Sequence, residues 1–284
     1  MFYIDINMNQ LLFIGVLIFI IQLIRFVSKQ KWFMSGGWKN DQHLSIDHKK
    51  NTYIYWHIAT IGSWFDIVSD QLDKLDKSGL LNQANGVYIG IINSNHIEYH
   101  KLIKLLSTST FRNKFTILFK KSNGYENQTL NALKQFCDQL HINNPSNILY
   151  IHSKGVTRNT KPVSDWRNYM EYFLIEKYQN CLKILNHHDH CGVNWTSGIK
   201  NTWIKAHYSG NFWWATSNYI KTLPPMDIRL KFNNQRDLID LIEFWIGRNP
   251  NGKHYSFHQS IGDQFKMLAF HYKYPFPRII YDVV

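Results

Sequence analysis

The chain has 284 residues, 44% hydrophobic and 15% aromatic, which is enough for a packed core and excludes a disordered or low-complexity protein. Its 32 Lys and Arg exceed its 20 Asp and Glu, but they are scattered, so the net charge of +12 points to an anion-handling or membrane-adjacent surface rather than a nucleic-acid groove. The three cysteines, Cys137, Cys181 and Cys191, have no metal-ligand spacing and read as free thiols of a reducing compartment.

The first predicted element is an N-terminal anchor over 1–30. Its run from Leu11 to Ile24 is apolar except for Gly15 and Gln22, and reaches Val27 if Arg25 snorkels. That is sufficient for a transmembrane helix, for which about 17–25 residues are typical. Asp5 in place of a basic start, and the lack of a small-residue cleavage site, argue against a cleaved signal peptide. Arg25, Lys29 and Lys31 lie at or after the end of the span and no Lys or Arg precedes it, which places a single-pass protein with its C-terminal domain in the cytoplasm. The sequons at Asn127 and Asn194 do not contradict this, since such tripeptides arise by chance. Residues 31–52, polar and with Gly36-Gly37, read as a linker. The abundance of Asn, Ile, Lys and Tyr fits A/T-rich coding, as in some large DNA viruses, and says nothing about chemistry.

From residue 53 strands and helices alternate. The pattern predicts strands over 53–59, 87–92, 115–119 and 147–151, with helices over 63–77, 96–106 and 126–140 between them. Ser63 is an expected cap of the first helix, with Trp64, Val68, Leu72 and Leu75 as its buried stripe and Gly79 past its end. The third helix buries Leu130, Leu133, Cys137 and Leu140. One long helix is predicted over 163–185, packing Trp166, Met170, Phe173, Leu174, Cys181 and Leu185, then strands near Gly192 and Phe212 and a helix over 236–245. The run His187-His188-Asp189-His190-Cys191 reads as a polar connection, because consecutive residues point in different directions and cannot all chelate zinc.

This alternation predicts an α/β domain over 53–284 with a mostly parallel sheet flanked by helices. Ligands bind beyond the carboxyl ends of strands in such sheets, which selects the loops after Ala59, Ile92 and Ile151. Two of these are the Thr60-Ile61-Gly62-Ser63 turn and the His152-Ser153-Lys154-Gly155 loop. The adjacent Trp213 and Trp214, after Ser209-Gly210-Asn211, form either a stacking platform for a sugar ring or two core residues. On a strand only one of them can face a site.

Four segments in order, His152-Ser153-Lys154-Gly155, Trp166-Arg167 with Met170-Glu171-Tyr172-Phe173-Leu174, Gly210-Asn211-Phe212-Trp213-Trp214-Ala215 and Glu243-Phe244-Trp245-Ile246-Gly247, resemble a family of glycosyltransferase-like proteins of the GT-A type. The first loop is also distantly similar to rhamnan-synthesis proteins. The resemblance spans about 53–261 and implies a GT-A-like fold, a nucleotide-sugar donor, a glycan or other hydroxyl acceptor, and no nucleic acid. GT-A enzymes commonly hold Mn or Mg with an Asp-x-Asp motif, which this chain lacks, so the cofactor stays open. Where that motif would fall stand His152 and Lys154, fixed cations able to neutralise a diphosphate, with Gly155 allowing close approach. Thr60, Ser63 and Arg167 complete the expected donor site; Arg167 opposes its helix dipole and needs an anionic partner, either Asp165 or a donor phosphate. Glu243 is the expected base, with Asp240 and Asp227 as rivals, and Ser209, Asn211 and Trp213 or Trp214 are to hold the sugar. The expected activity is sugar transfer by a membrane-anchored enzyme; the alternative is a non-catalytic carbohydrate-binding module on the same fold.

Overall fold

The computed structural model describes residues 50–198, 200, 204–226, 237, 241–259 and 278–281. All of them belong to a compact unit of Leu44–Val283. The expected anchor and most of the linker lie outside the described residues, as do Asp227, Asp240 and residues 236 and 238–240 of the helix expected over 236–245, whose described end gives way to a turn at 243–244 and a 3-10 turn from Trp245. No helix among the described residues is long and apolar enough to cross a membrane.

The chain builds a mixed α/β fold on a seven-stranded sheet. In chain order its parallel half is β1 (Thr52–Ala59), α1 (Trp64–Lys77), the short α2 (Leu80–Gln83), β2 (Gly86–Ile92), α3 (His96–Ser107), β3 (Phe115–Lys120), α4 (Asn127–Gln139) and β4 (Asn147–His152). After it come α5 (Lys161–Glu171), α6 (Tyr178–Ile184), β5 (His190–Gly192), the ribbon β6 (Trp195–Thr196) and β7 (His207–Tyr208), β8 (Trp213–Thr216), α7 (Ser217–Thr222), β9 (His254–Ser256) and α8 (Arg278–Tyr281). The sheet order is β3-β2-β1-β4-β8-β5-β9. β1 to β4 are mutually parallel where they pair, and β8 runs antiparallel to both β4 and β5. β1 and β4, expected in one sheet, are direct neighbours, with Tyr53 opposite Ile148 and His57 opposite His152.

Central strands read as almost continuous apolar runs because both faces are covered. Alternation sends Ile54, Trp56, Ile58, Leu149, Ile151 and Trp214 to a layer shared with α1, α3, α5 and α6. It sends Tyr55, Ile148, Tyr150, Trp213 and Ala215 to the opposite layer, under α4, α7 and a 3-10 turn at Trp245–Gly247.

Two expected elements differ from the prediction. Ser63 sits at the start of α1 but its side chain makes no capping bond; its N–H is held by Val156 O at 3.2 Å. The single helix expected over 163–185 is broken by a π-helical turn, Tyr172–Glu176, where Lys177 N–H bonds Tyr172 O at 2.9 Å. Apolar spacing continues through the break, so periodicity alone could not reveal it. Phe173 and Leu174 carbonyls there accept from Cys181 Sγ (3.4 Å) and Trp214 Nε1 (2.8 Å), which anchor the turn from outside the ladder.

Candidate functional site

In the order β3-β2-β1-β4 the connections run outward from β1 through β2 to β3 and then jump back to β4, so the switch point lies between β1 and β4. The loops leaving these two strands are bound to each other. Ala59 N–H donates to Ser153 Oγ at 2.9 Å, and Ser153 N–H to His57 O at 2.9 Å. Thr60 reaches the other way, its hydroxyl donating to Asn93 O at 3.2 Å. Gly62 has φ +55°, and a Cβ there would collide with the Val156 carbonyl. Gly62→Ala is therefore expected to part the two loops and destabilise the protein by about 2 kcal/mol or more, since the left-handed conformation alone costs a residue with a Cβ roughly 1–2 kcal/mol. Thermal unfolding measures this, and an unchanged midpoint would show that the loops can separate freely.

On the α4 side of the switch point a polar cluster joins three elements. His152 Nε2 lies 3.1 Å from Gly210 O, and its Nδ1 lies 3.3 Å from Glu126 Oε1. The other oxygen, Glu126 Oε2, accepts from Tyr150 Oη and from Asn211 Nδ2, both at 2.9 Å. Asn211, buried at φ +57°, accepts in turn from Trp213 Nε1 at 3.0 Å. Asparagine tolerates this backbone region better than other side chains, and here its amide groups are both engaged. His57 stands beside the cluster with Nδ1 2.8 Å from Thr129 Oγ1.

A carbonyl only accepts, so His152 Nε2 carries the proton and the Nδ1 lone pair faces Glu126. Burial, and secondarily Lys154, push the His152 pKa down to about 3, against the pull of the Gly210 carbonyl and Glu243. At neutral pH the contact with Glu126 is thus not an ion pair. The side chains of His152 and Glu126 are 12% and 22% exposed, so both can be reached from solvent. Sequence reading used Glu126 only as the start of a helix; the available signal was an acidic residue on the carboxyl-end side of the sheet, opening the helix after β3.

The other expected site residues are placed as follows. Lys154 Nζ lies 4.1 Å over the Trp166 ring, and Gly210 packs against Trp166 and Met170, so Lys154, His152 and the 209–211 turn share one neighbourhood. Ser209 is held through its N–H to Asn194 O at 3.2 Å. Glu243 is close enough to act electrostatically on both His152 and His207. Arg167 is buried; it donates to Lys154 O at 3.0 Å and its Nε lies 3.7 Å from Glu171, so its anionic partner in the fold is Glu171, while Asp165 pairs with Lys161. The space beside Gly155 is taken by Val163 and Arg167. Trp213 and Trp214 are 1% and 0% exposed and point into opposite layers, which leaves neither indole face open for stacking a sugar. Trp213 instead stacks on Tyr150, ring centroids 5.1 Å apart.

A groove of about 850 Å³ opens on the α1 and α3 side of β1. It is lined by Thr60 and Gly62 of the loop after β1, Trp64 and Phe65 of α1, Glu98, Lys101, Lys104 and Leu105 of α3, and Thr108 just past it. Phe65 is 44% exposed, while Trp64 is buried and donates through Nε1 to Glu98 Oε2 at 2.5 Å. Hydrogen bonds from Lys101 and Trp64 hold the Glu98 carboxyl below its usual range. Of the expected donor residues only Thr60 lines this groove.

Residues 51–265, about three quarters of the chain, match the family model described as Domain of unknown function (DUF8361). The chain belongs to this family. The DUF8361 segment starts one residue before β1 and runs past β9, so it takes in the whole sheet and both loops of the switch point. No curated protein matches the chain. Among the described residues no three His, Cys, Asp or Glu side chains gather to hold a metal ion. The described part of the DUF8361 segment therefore holds no preformed three-ligand site for a divalent ion.

Proposed function

We propose that this protein is a GT-A-type glycosyltransferase that moves a sugar from a nucleotide-activated donor to a glycan or other hydroxyl acceptor. On this reading its N-terminal segment holds the domain at the cytoplasmic face of a membrane. The observation that carries the reading is the groove at the end of β1, whose lining brings together Thr60, the exposed Phe65, Lys104 and the Glu98-paired Lys101. An aromatic face beside exposed lysines, with Lys101 able to exchange Glu98 for a phosphate oxygen, is the chemistry that a base and a diphosphate need. The donor sugar then points toward Lys154 and His152, with Arg167 holding Lys154 by its carbonyl. The acceptor hydroxyl meets Ser209, the half-buried residue of the 209–211 turn, while Asn211 is buried with both amide groups engaged and only braces the turn; Glu243 takes the proton.

The test is release of nucleoside diphosphate from a panel of nucleotide sugars by the purified chain, with and without manganese. Turnover is expected, with donor KM raised about tenfold or more in Lys101→Ala/Lys104→Ala and weaker donor binding in Lys154→Ala. Glu243→Gln is expected to abolish transfer while donor binding survives, because the base acts on the acceptor. Full transfer in that variant moves the role to another carboxylate, Asp240 being next in line. Glycan binding without turnover of any donor would leave the carbohydrate-binding module as the function.

A further inference from the structure

Helix α3 carries a feature that the polar cluster and the groove do not use. His96 and His100 stand one helical turn apart on its exposed side, with their Nε2 atoms 3.0 Å from each other and their ring planes 80° apart. Residues at i and i+4 share a helix face. The first turn of α3 is fixed by Asn95, whose Oδ1 accepts from Glu98 N–H at 2.8 Å, so His96 is held although it begins the helix. The two nitrogens share a hydrogen bond in this structure, and a cation that displaces its proton would find them at a separation suited to neighbouring ligands, each about 2.0–2.1 Å from the ion.

We propose that His96 and His100 form an open binding site for a borderline divalent cation, of which Zn²⁺ is the representative. Imidazole nitrogens suit zinc, copper and nickel, whereas magnesium and calcium require oxygen ligands. No third His, Cys, Asp or Glu joins the pair among the described residues. The Glu98 oxygens are engaged by Trp64 (2.5 Å) and Lys101 (3.0 Å). The remaining coordination positions are thus left to water or to an oxygen of an anionic ligand. The same helix supplies Glu98, Lys101 and Lys104 to the groove, so an ion held here sits on the element that bounds the groove. The site stands or falls independently of glycosyl transfer.

Calorimetric titration of Zn²⁺ into the full chain, first stripped of metal with a chelator, tests it beside His96→Ala, His100→Ala and the double variant. One zinc ion is expected in the wild type that the double variant lacks, with at least tenfold weaker binding in each single variant and no heat from Mg²⁺ at this site. Both side chains are exposed, so the variants are expected to melt with the wild type. Should one fail to fold, the Cu²⁺ electron paramagnetic resonance spectrum of the wild type decides instead, through two equatorial nitrogens or their absence. Equal zinc binding by the wild type and the double variant, or no zinc bound by the wild type, overturns the proposal.

Discussion

Glu171→Ala is expected to lower the stability of the domain by about 3–5 kcal/mol, the range for removing one partner of a buried ion pair. Glu171 is 0% exposed and is the anion of a network inside the α1/α5 interface. Its Oε2 accepts from Lys74 Nζ at 2.6 Å, its Oε1 from Gln71 Nε2 at 2.9 Å, and Arg167 Nε lies 3.7 Å away. Without the carboxylate, Arg167 is left as an uncompensated buried cation, and Lys74 keeps the more exposed Asp70 and the Asn168 amide oxygen. Gln71 ties the same network to the sheet, donating to His152 O at 3.0 Å and accepting from Trp56 Nε1 at 3.0 Å. The loss should therefore reach the switch point as well as the helices. A domain of this size shifts its melting temperature by roughly 2–4 °C per kcal/mol. A drop of less than about 3 °C for Glu171→Ala would mean that the cations relax to solvent.

Acidification from pH 7 to pH 5 is expected to remove about 4 kcal/mol of stability through two histidines alone. Burial pushes His57 down to about 4 and His190 down to about 3, against roughly 6.5 in the unfolded chain. The folded state binds fewer protons than the unfolded state in this range, so stability rises with pH. The contribution is complete above about pH 6.5 and is lost as the pH falls through 6.5 toward the folded values, at about 2 kcal/mol per ring by pH 5. Both rings are packed where a charge has no solvent: His57 against Thr129, and His190 against Tyr208, whose hydroxyl lies 3.0 Å from Nδ1. Urea unfolding at the two pH values measures the effect. Equal midpoints would show that these rings accept protons without unfolding.

Much of the fold was legible because the parallel half of the sheet is written in apolar runs at strand length and helical stripes between them. The stripe Trp64, Val68, Leu72 and Leu75 is buried as its spacing required, and Leu130, Leu133 and Cys137 likewise, whereas Leu140, expected with them, caps the helix half-buried. The rule that ligands sit at carboxyl ends of strands also selected two loops that the fold does bind together. What was not legible depends on long-range geometry. No local pattern told that the Trp213 and Trp214 indoles would both be core residues, since alternation only required that they part. Nothing in the neighbourhood of Glu126 marked it as the partner of His152, 26 positions on, and of Asn211, which comes from a third element. The spacing of His96 and His100 was visible in the sequence, but only the closeness of their ring nitrogens distinguishes it from two solvated residues.

The buried pair on β8 has one further consequence. Because adjacent indoles are locked into opposite layers, β8 cannot slip by a residue without exchanging them, and its register is pinned. The Ser209-Gly210-Asn211 turn leads directly into this strand and is held by Glu126, His152 and Trp213. A ligand that reaches Ser209 meets a turn already held in position, so little conformational freedom remains to be lost when it binds.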